Sequence, residues 1–434
     1  MTRVIKYFKG IDPIELGIPA LLFLLTLNLF LWRIELPATT YFDEARYVSA
    51  ARQFLMNGIN ENWSHPGFGK YLIATGIALF GDRALGWRIM GVFFGGVSIL
   101  SVYWLGLALF KNRFDALLGA LIVVVNQLVF VQARIATLDI LAVGLFMPAI
   151  ALFAQLWMDS AALNRPIPRK DLILPSLLFG LAVAAKWIAI IPLFMTAILY
   201  VLERPERRWT RLRDCLLILF ATACLVYLVT LIPFLGMKTP AHSIDALGLD
   251  SSHYYGWRDI LKMQLQMFVT QFKYDNPQPY VSPWYSWPLT LRPIWYLFSR
   301  DESPINPTFS GIVLLGNPFI FWTSIPAVGY CVWHACRRYE AAAQFLMMFY
   351  FPLFMFWILV PRHTTFLYYY LPASILLGPM LIYAARGLGL APWKKILYVG
   401  VAAGFFIYFF PLLSGIPLSR PSFMARIWFA RWWF

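Results

Sequence analysis

Apolar runs of roughly twenty residues recur along nearly the whole chain, and each is long enough to cross a bilayer as a helix. That repetition leaves few folds open. The runs are continuous and do not alternate with period two, which excludes a β-barrel. Charged residues make up 13% of the 434 positions, about half of what a soluble chain carries. The expected fold class is an all-α polytopic membrane protein, a single integral membrane domain over residues 1–434.

About eleven transmembrane helices are predicted, near residues 16–32, 86–110, 114–131, 136–157, 172–185, 187–202, 214–236, 309–333, 343–360, 366–385 and 396–415. The fifth and sixth share one apolar stretch, divided here at Lys186 and Pro192. Charge asymmetry supports the division. The linkers at 111–113, 165–170, 204–213, 336–338 and 393–395 are all basic. Those at 132–134, 186 and 361–363 each carry one Arg or Lys. Basic short loops mark the cytoplasmic side. The expectation is therefore a multi-pass inner (plasma) membrane protein with a cytoplasmic N-terminus and an outer C-terminus.

The net charge of +15 has the same origin. In a soluble protein it would suggest nucleic acid. Here basic cytoplasmic loops account for it, no nucleic acid partner is expected, and the surplus suits the lipid bilayer or a phosphate-bearing substrate. Arg3, Lys6 and Lys9 precede the first run, which reads as an uncleaved span. Cys215, Cys224, Cys331 and Cys336 lie in or beside predicted spans, and neither a disulfide nor a metal cluster is predicted from them.

On this topology two long segments face the outside, 33–85 and 237–308, both rich in Trp, Tyr and Pro. Loops of such length in a compact protein are usually functional. The tail at 416–434, basic and aromatic, reads as an interfacial anchor.

The first outer segment opens with YFDEARY at 41–47. The pattern DEARYVSAARQFL is an amphipathic helix, with Tyr47, Ala50, Ala51, Phe54 and Leu55 on one stripe and Arg46, Ser49, Arg52 and Gln53 on the other. It would lie along the outer membrane surface. Thr40 and Asp43 have capping-box spacing, so acidic residues that merely complement a helix dipole are the plain alternative. Neighbouring helix positions point about 100° apart, so Asp43 and Glu44 cannot share one role. A surface carboxylate suits a general base that deprotonates a hydroxyl.

Further along, NWSHPGFGKYL at 62–72 holds His65, two glycines that permit close backbone approach, and Lys70. It reads either as an anion-binding corner or as a re-entrant loop with a snorkelling lysine. Arg88, Arg134 and Asp139 stand at or near span ends, where ionisable groups are costly and mark function or a structural ion pair. YVSPWYSWPLTLRPIWY at 280–296 carries Trp284, Trp287 and Arg292. Its rings read as an interfacial belt or as faces for a sugar. PRHTTFLYYYLP at 361–372 places Arg362 at the outer end of a span, where a lipid phosphate would lie, with Tyr369 beyond it.

Taken together, YFDE, HPGFGK, the Arg88 region, QARIATLDI, AAKW at 184–187, SPWYSWPLTLRPIWY, LLGNP at 314–318 and FLYYYLP at 366–372 resemble the protein O-mannosyltransferases, from about residue 38 to 385. The resemblance implies the C-type glycosyltransferase (GT-C) fold, with two extracytoplasmic loops carrying interfacial helices. It implies a polyprenyl-phosphate-mannose donor, an acceptor Ser or Thr hydroxyl on an exported protein, and inverting chemistry on the outer face. On that reading Asp43 is the catalytic base and Glu44 helps to hold the acceptor or neighbouring groups. His65, Lys70, Arg88 and Arg362 become candidate contacts for donor phosphate and sugar, with Arg134, Asp139, Trp284, Trp287, Arg292 and Tyr369 as further substrate-binding candidates. Cations can stabilise a leaving phosphate in place of a general acid, so the scheme requires neither a metal nor another cofactor.

The chain departs from the family pattern in places. Gly67 and Phe68 replace the second Pro and the Leu of HPPLGK, and Tyr369 takes the His position of YHY. The 237–308 loop is too short for the soluble sugar-binding module of eukaryotic members. The reaction class is unaffected; the sugar and the acceptor stay open. The nearest alternative is another polyprenyl-phosphate-sugar transferase acting on lipid A, a cell-wall polymer or an outer glycan. A transporter or flippase is the alternative of another class, and it would show repeated halves and midplane charges.

Overall fold

The structure is a computed structural model that describes residues 13–56, 58–60, 62–238, 254–273, 279–301, 307–360 and 364–432. Its helices are α1 Pro13–Leu31, α2 Glu44–Met56, α3 Phe68–Phe80, α4 Ala84–Phe110, α5 Arg113–Val124, α6 Gln127–Gln132, α7 Leu138–Leu163 and α8 Ile173–Ala185. They continue with α9 Trp187–Leu202, α10 Pro205–Phe234, α11 Trp257–Lys273, α12 Pro318–Arg338, α13 Ala341–Leu359, α14 Leu367–Ser374, α15 Leu377–Gly387 and α16 Pro392–Ser414. Polar caps set several ends. Asn112 accepts from Asp115 N ahead of α5, and Asn317, followed by Pro318, accepts from Ile320 N ahead of α12.

The chain is predominantly helical, as expected. Six described helices are long and apolar enough to cross a membrane, seven if α14 and α15, bent by 50°, count as one span. Three shorter apolar helices occupy residues 16–31, 68–80 and 187–202. Against the expected count of about eleven, two of the predicted spans are broken by other structure. The predicted span at 114–131 divides at Asn126, whose side chain caps α6 by accepting from Leu128 N at 3.2 Å and whose amide faces Ser374 Oγ at 3.4 Å. The span predicted at 309–333 begins as a strand and turns helical only at Pro318.

The core runs along α4, α7, α8 and α5. Small residues let these helices meet. A Cβ on Gly144 of α7 would stand 2.4 Å from the Phe94 carbonyl oxygen of α4. All four cysteines are free thiols.

A three-stranded sheet lies outside the expected all-helical pattern. β1 Ile294–Asp301 pairs antiparallel with β2 Thr308–Leu314, in register from Ile294↔Leu314 to Asp301↔Thr308, with a bulge between Trp295 and Leu297. β3 Leu418–Ser419 pairs with β2 from the C-terminal tail. The tail is therefore not a free interfacial anchor. Phe423 is fully buried, 5.7 Å from the Trp295 ring and 5.3 Å from the Phe309 ring. Trp432 Nε1 donates to Thr290 O at 2.9 Å, and Trp295 Nε1 donates to Trp432 O at 2.8 Å. Apolar rings that find a dry partner surface pack there; only Trp428 and Phe429 among the tail's described rings stay partly exposed.

Phe423→Ala removes a ring from this packing and is expected to cost about 3 kcal/mol. Thermal unfolding of the detergent-solubilised protein measures the loss, and an unchanged midpoint would return the tail to the role of a loose anchor.

Candidate active site

A buried guanidinium shapes the turn out of α1. Arg88, near the start of α4, has no solvent exposure and spends all five N–H donors on protein. Nε and Nη2 grip Glu44 Oε1 and Oε2, each at 2.9 Å. Nη1 donates to Ile34 O at 2.7 Å and Pro37 O at 2.9 Å, and Nη2 donates to Thr39 O at 3.1 Å. Glu44 Oε1 also accepts from Ala136 N at 3.1 Å, so the turn between α6 and α7 is tied in too. This corrects one expectation and narrows another. Arg88 has no donor left for a phosphate, and of the two roles expected of Glu44 it takes the second, holding neighbouring groups and no acceptor.

The clamp fixes the residue on either side. Glu44 points inward, so the neighbouring Asp43 points elsewhere. On its other side Phe42 sits at φ +52, the left-handed region that a bulky side chain adopts only when surroundings impose it. Its ring stacks on Tyr296 of β1, with centroids 4.1 Å apart. Asp43 is held between a strained backbone and a double ion-pair contact, at the first turn of α2.

The half-buried Asp43 carboxyl looks into a small set of charges and phenols. Burial raises it above the ordinary carboxylate value; Lys186 and Arg46 pull it back down, and Asp139 pushes it up. Lys186 Nζ pairs with Asp139 Oδ1 at 2.7 Å and lies 5.8 Å from the Tyr368 ring centroid. Lys186 reaches this position because the chain is extended there, between α8 and α9, at φ −159 and ψ 133. Tyr47, Tyr296 and Tyr368 all lie within electrostatic range of both Asp43 and Asp139. Tyr296 Oη accepts from the Gln132 amide at 3.0 Å, which orients the ring.

Of the residues picked out from sequence, the structure brings Asp43, Asp139 and Tyr369 together. Tyr369 meets Tyr368 edge-on at 4.6 Å and stacks on Trp357 at 4.0 Å and 7°. His65 stands at the margin, 5.9 Å from the Tyr47 ring. Others lie elsewhere. Lys70 is fully buried, and its ammonium donates to Asn62 O and, at 2.9 Å, to His65 O, so it closes its own loop and is not an open anion corner. Gly67 and Gly69 do permit close approach, but to protein: a Cβ would meet the Phe234 ring at 2.7 Å and Leu138 Cδ2 at 2.7 Å.

Arg134 donates to Trp32 O at 2.6 Å and lies over Phe130 at 4.6 Å. Trp287 is a core ring, 1% exposed, with Nε1 donating to Ser282 Oγ at 3.0 Å, so no sugar reaches its face. Trp284 is half-buried against Phe354 at 5.3 Å, and Arg292 is exposed beside Tyr280. Arg362 lies outside the described residues.

Sequence reasoning left Lys186, Arg46, Tyr296 and Tyr368 out of the site. Lys186 carried a legible signal: it is a lone cation inside a long apolar stretch, and such a residue marks function by default. In the sequence it serves to divide two spans and stands within the AAKW motif at 184–187, with no role in the site. Tyr296 and Tyr368 had no signal beyond the aromatic density around them.

Two family models described as "Dolichyl-phosphate-mannose-protein mannosyltransferase" match residues 20–89 and 64–235, and "C-terminal four TMM region of protein-O-mannosyltransferase" matches 256–432. A polyprenol-phosphate-mannose–protein mannosyltransferase of Mycolicibacterium smegmatis is 25% identical over 91% of this chain and 88% of its own. The fold is similar to a chain in the structure of the S. cerevisiae protein O-mannosyltransferase Pmt1-Pmt2 complex bound to the sugar donor. The TM-score there is 0.79 at 12% identity, over 98% of this chain and 93% of that one. Cupriavidus metallidurans ArnT bound to undecaprenyl phosphate superposes with a TM-score of 0.59 at 15% identity, over 89% of this chain and 63% of that one.

Removing one partner of the buried clamp leaves an unpaired charge, so Arg88→Met is expected to destabilise the protein by about 3–5 kcal/mol. Arg88→Lys is expected to fail as well, because three donors cannot replace five. Loss of the folded, monodisperse species in size-exclusion chromatography reads both. Wild-type stability in either variant would show that the clamp does not hold the turn.

Proposed function

Because the chain belongs to the protein O-mannosyltransferase family, we propose that it transfers mannose from polyprenyl-phosphate-mannose to Ser or Thr hydroxyls of exported proteins, with Asp43 as the general base. The observation that carries the reading is the Asp43 carboxyl, half-buried, raised above its ordinary value and facing the Lys186–Asp139 pair.

The protein is an integral membrane protein, and the orientation proposed puts Asp43 on the extracytoplasmic face with the N-terminus in the cytoplasm. The basic linkers at 111–113, 165–170, 204–213, 336–338 and 393–395 support that sidedness. Segments 33–85 and 237–308 then form the outer face, the first supplying the base and the second supplying Tyr296. A lipid-linked donor keeps its tail in the bilayer while its phosphate lies at headgroup level.

In the step proposed, the acceptor hydroxyl attacks the anomeric carbon from the face opposite the phosphate. Asp43 takes the hydroxyl proton as the new C–O bond forms. The C–O bond to phosphate breaks, polyprenyl phosphate leaves with the electron pair, and the anomeric centre inverts. Lys186 and Arg46 are the cations placed to meet the negative charge that develops on the phosphate. Asp139 holds Lys186 in position until that phosphate arrives. A base whose carboxyl is raised accepts the proton more readily than an exposed aspartate does.

Asp43→Asn is expected to lower transfer from polyprenyl-phosphate-mannose to a Ser/Thr peptide by about 10²–10⁴-fold, with the fold intact. Glycopeptide mass spectrometry of the purified reaction reads the outcome. Normal turnover would remove Asp43 from the mechanism, and sugar appearing only on lipid or glycan would reassign the acceptor.

The pH profile is a separate check. Asp43 works when ionised, so activity falls as pH drops through its raised value. Lys186→Met removes an opposite charge and is expected to move that acid limb to higher pH. Asp139→Asn removes a like charge and is expected to move it to lower pH. Limbs that stay in place in both variants would mean that another group titrates.

A further inference from the structure

At the end of the bundle opposite Asp43, α12 and α16 part around a cavity of about 410 Å³. The two helices are held together nearer the active site. Phe319 packs against Tyr398 at 4.8 Å and Phe405 at 5.6 Å, and the Thr323 and Tyr398 hydroxyls bond at 2.6 Å. Beyond that pair the walls are Ala327, Leu381 and Leu388, with the Tyr330 ring. From Thr323 to Tyr330 is seven residues of helix, a depth of roughly 10 Å. Pro326, Leu388 and Leu390 are exposed at its rim, so the cavity opens sideways towards the surface that spans the membrane.

The mouth is basic. Lys394 is exposed there. Beside it the buried Asp115 carboxylate is shared by Lys395, at 2.5 Å, and Arg386. Two cations, Lys395 and Arg386, share that carboxylate, which leaves the exposed Lys394 at the mouth to meet an anion at the headgroup level. Apolar walls below a cationic rim match an acyl chain below a phosphate.

We propose that this crevice binds one anionic phospholipid, with an acyl chain between α12 and α16 and its phosphate against Lys394. In the orientation proposed above, the lipid belongs to the cytoplasmic leaflet. The site is separate from the Asp43 centre, and it rests on the membrane reading, not on the sugar chemistry.

Native mass spectrometry of the full-length protein, released from an equimolar phosphatidylglycerol and phosphatidylcholine mixture, tests it. The wild type is expected to retain one phosphatidylglycerol preferentially and to melt higher when that lipid is added. Lys394→Glu, at an exposed position, is expected to weaken phosphatidylglycerol retention by about tenfold and to leave phosphatidylcholine unaffected. Ala327→Phe fills the crevice and is expected to abolish the retained lipid of either kind. Equal retention of the two lipids by the wild type, or wild-type behaviour of both variants, would overturn the proposal. Glycerol phosphate alone is expected to give no stabilisation; if it stabilises as the lipid does, the crevice holds no acyl chain.

Discussion

The bidentate grip of Arg88 on Glu44 is the contact on which the arrangement at the mouth of the site depends. A guanidinium with no exposure needs every donor satisfied, and here the satisfying groups come from the turn after α1, from Thr39 and from the first residue of α2. A free carbonyl-rich turn would be mobile; this one is wound around a fixed cation. Glu44 in turn reaches the backbone of Ala136, so the carboxylate that looks catalytic from its neighbourhood is a structural one. Its partner in sequence, Asp43, inherits a defined direction from that anchoring. The strain at Phe42 and its stack on Tyr296 complete the positioning from the other side.

The groups around Asp43 come from places where helices stop. Lys186 lies in the extended link between α8 and α9, Asp139 in the first turn of α7, Tyr368 in the first turn of α14 and Tyr296 on a strand. In an apolar bundle, backbone groups are freed to meet polar side chains at such interruptions, and lipid satisfies neither. The broken spans and the cluster of charges and phenols around Asp43 are therefore one feature of the fold. Lys186 and Asp139 also offset each other, which makes a largely buried cation tolerable.

Much of this was legible from residues alone, for reasons that differ by position. Long apolar runs announce a helical membrane protein because hydrocarbon tolerates little else. Asp43 and Glu44 announced themselves by standing just past such a run, and the inference that they cannot share a task follows from helix geometry. Which of them faces inward was not legible, because that depends on Arg88, forty-four positions away. Lys70 misled for a similar reason: a lysine after glycines looks like an anion corner until its loop carbonyls are seen to surround it. The sheet escaped notice because β3 is two residues long and pairs across a hundred positions with β2. The tail misled because aromatic and basic composition suits a membrane interface and a packed protein surface equally.

The strap formed by that tail ties sequence-distant segments into one wall. Tyr296 lies on β1, β1 is held by β2, and β2 takes its last partner from residues 418–419. Phe42, the neighbour of Asp43, stacks on Tyr296 of that first strand, so a change at residues 418–419 would reach the site through two strand pairings and one ring stack, with no direct contact needed.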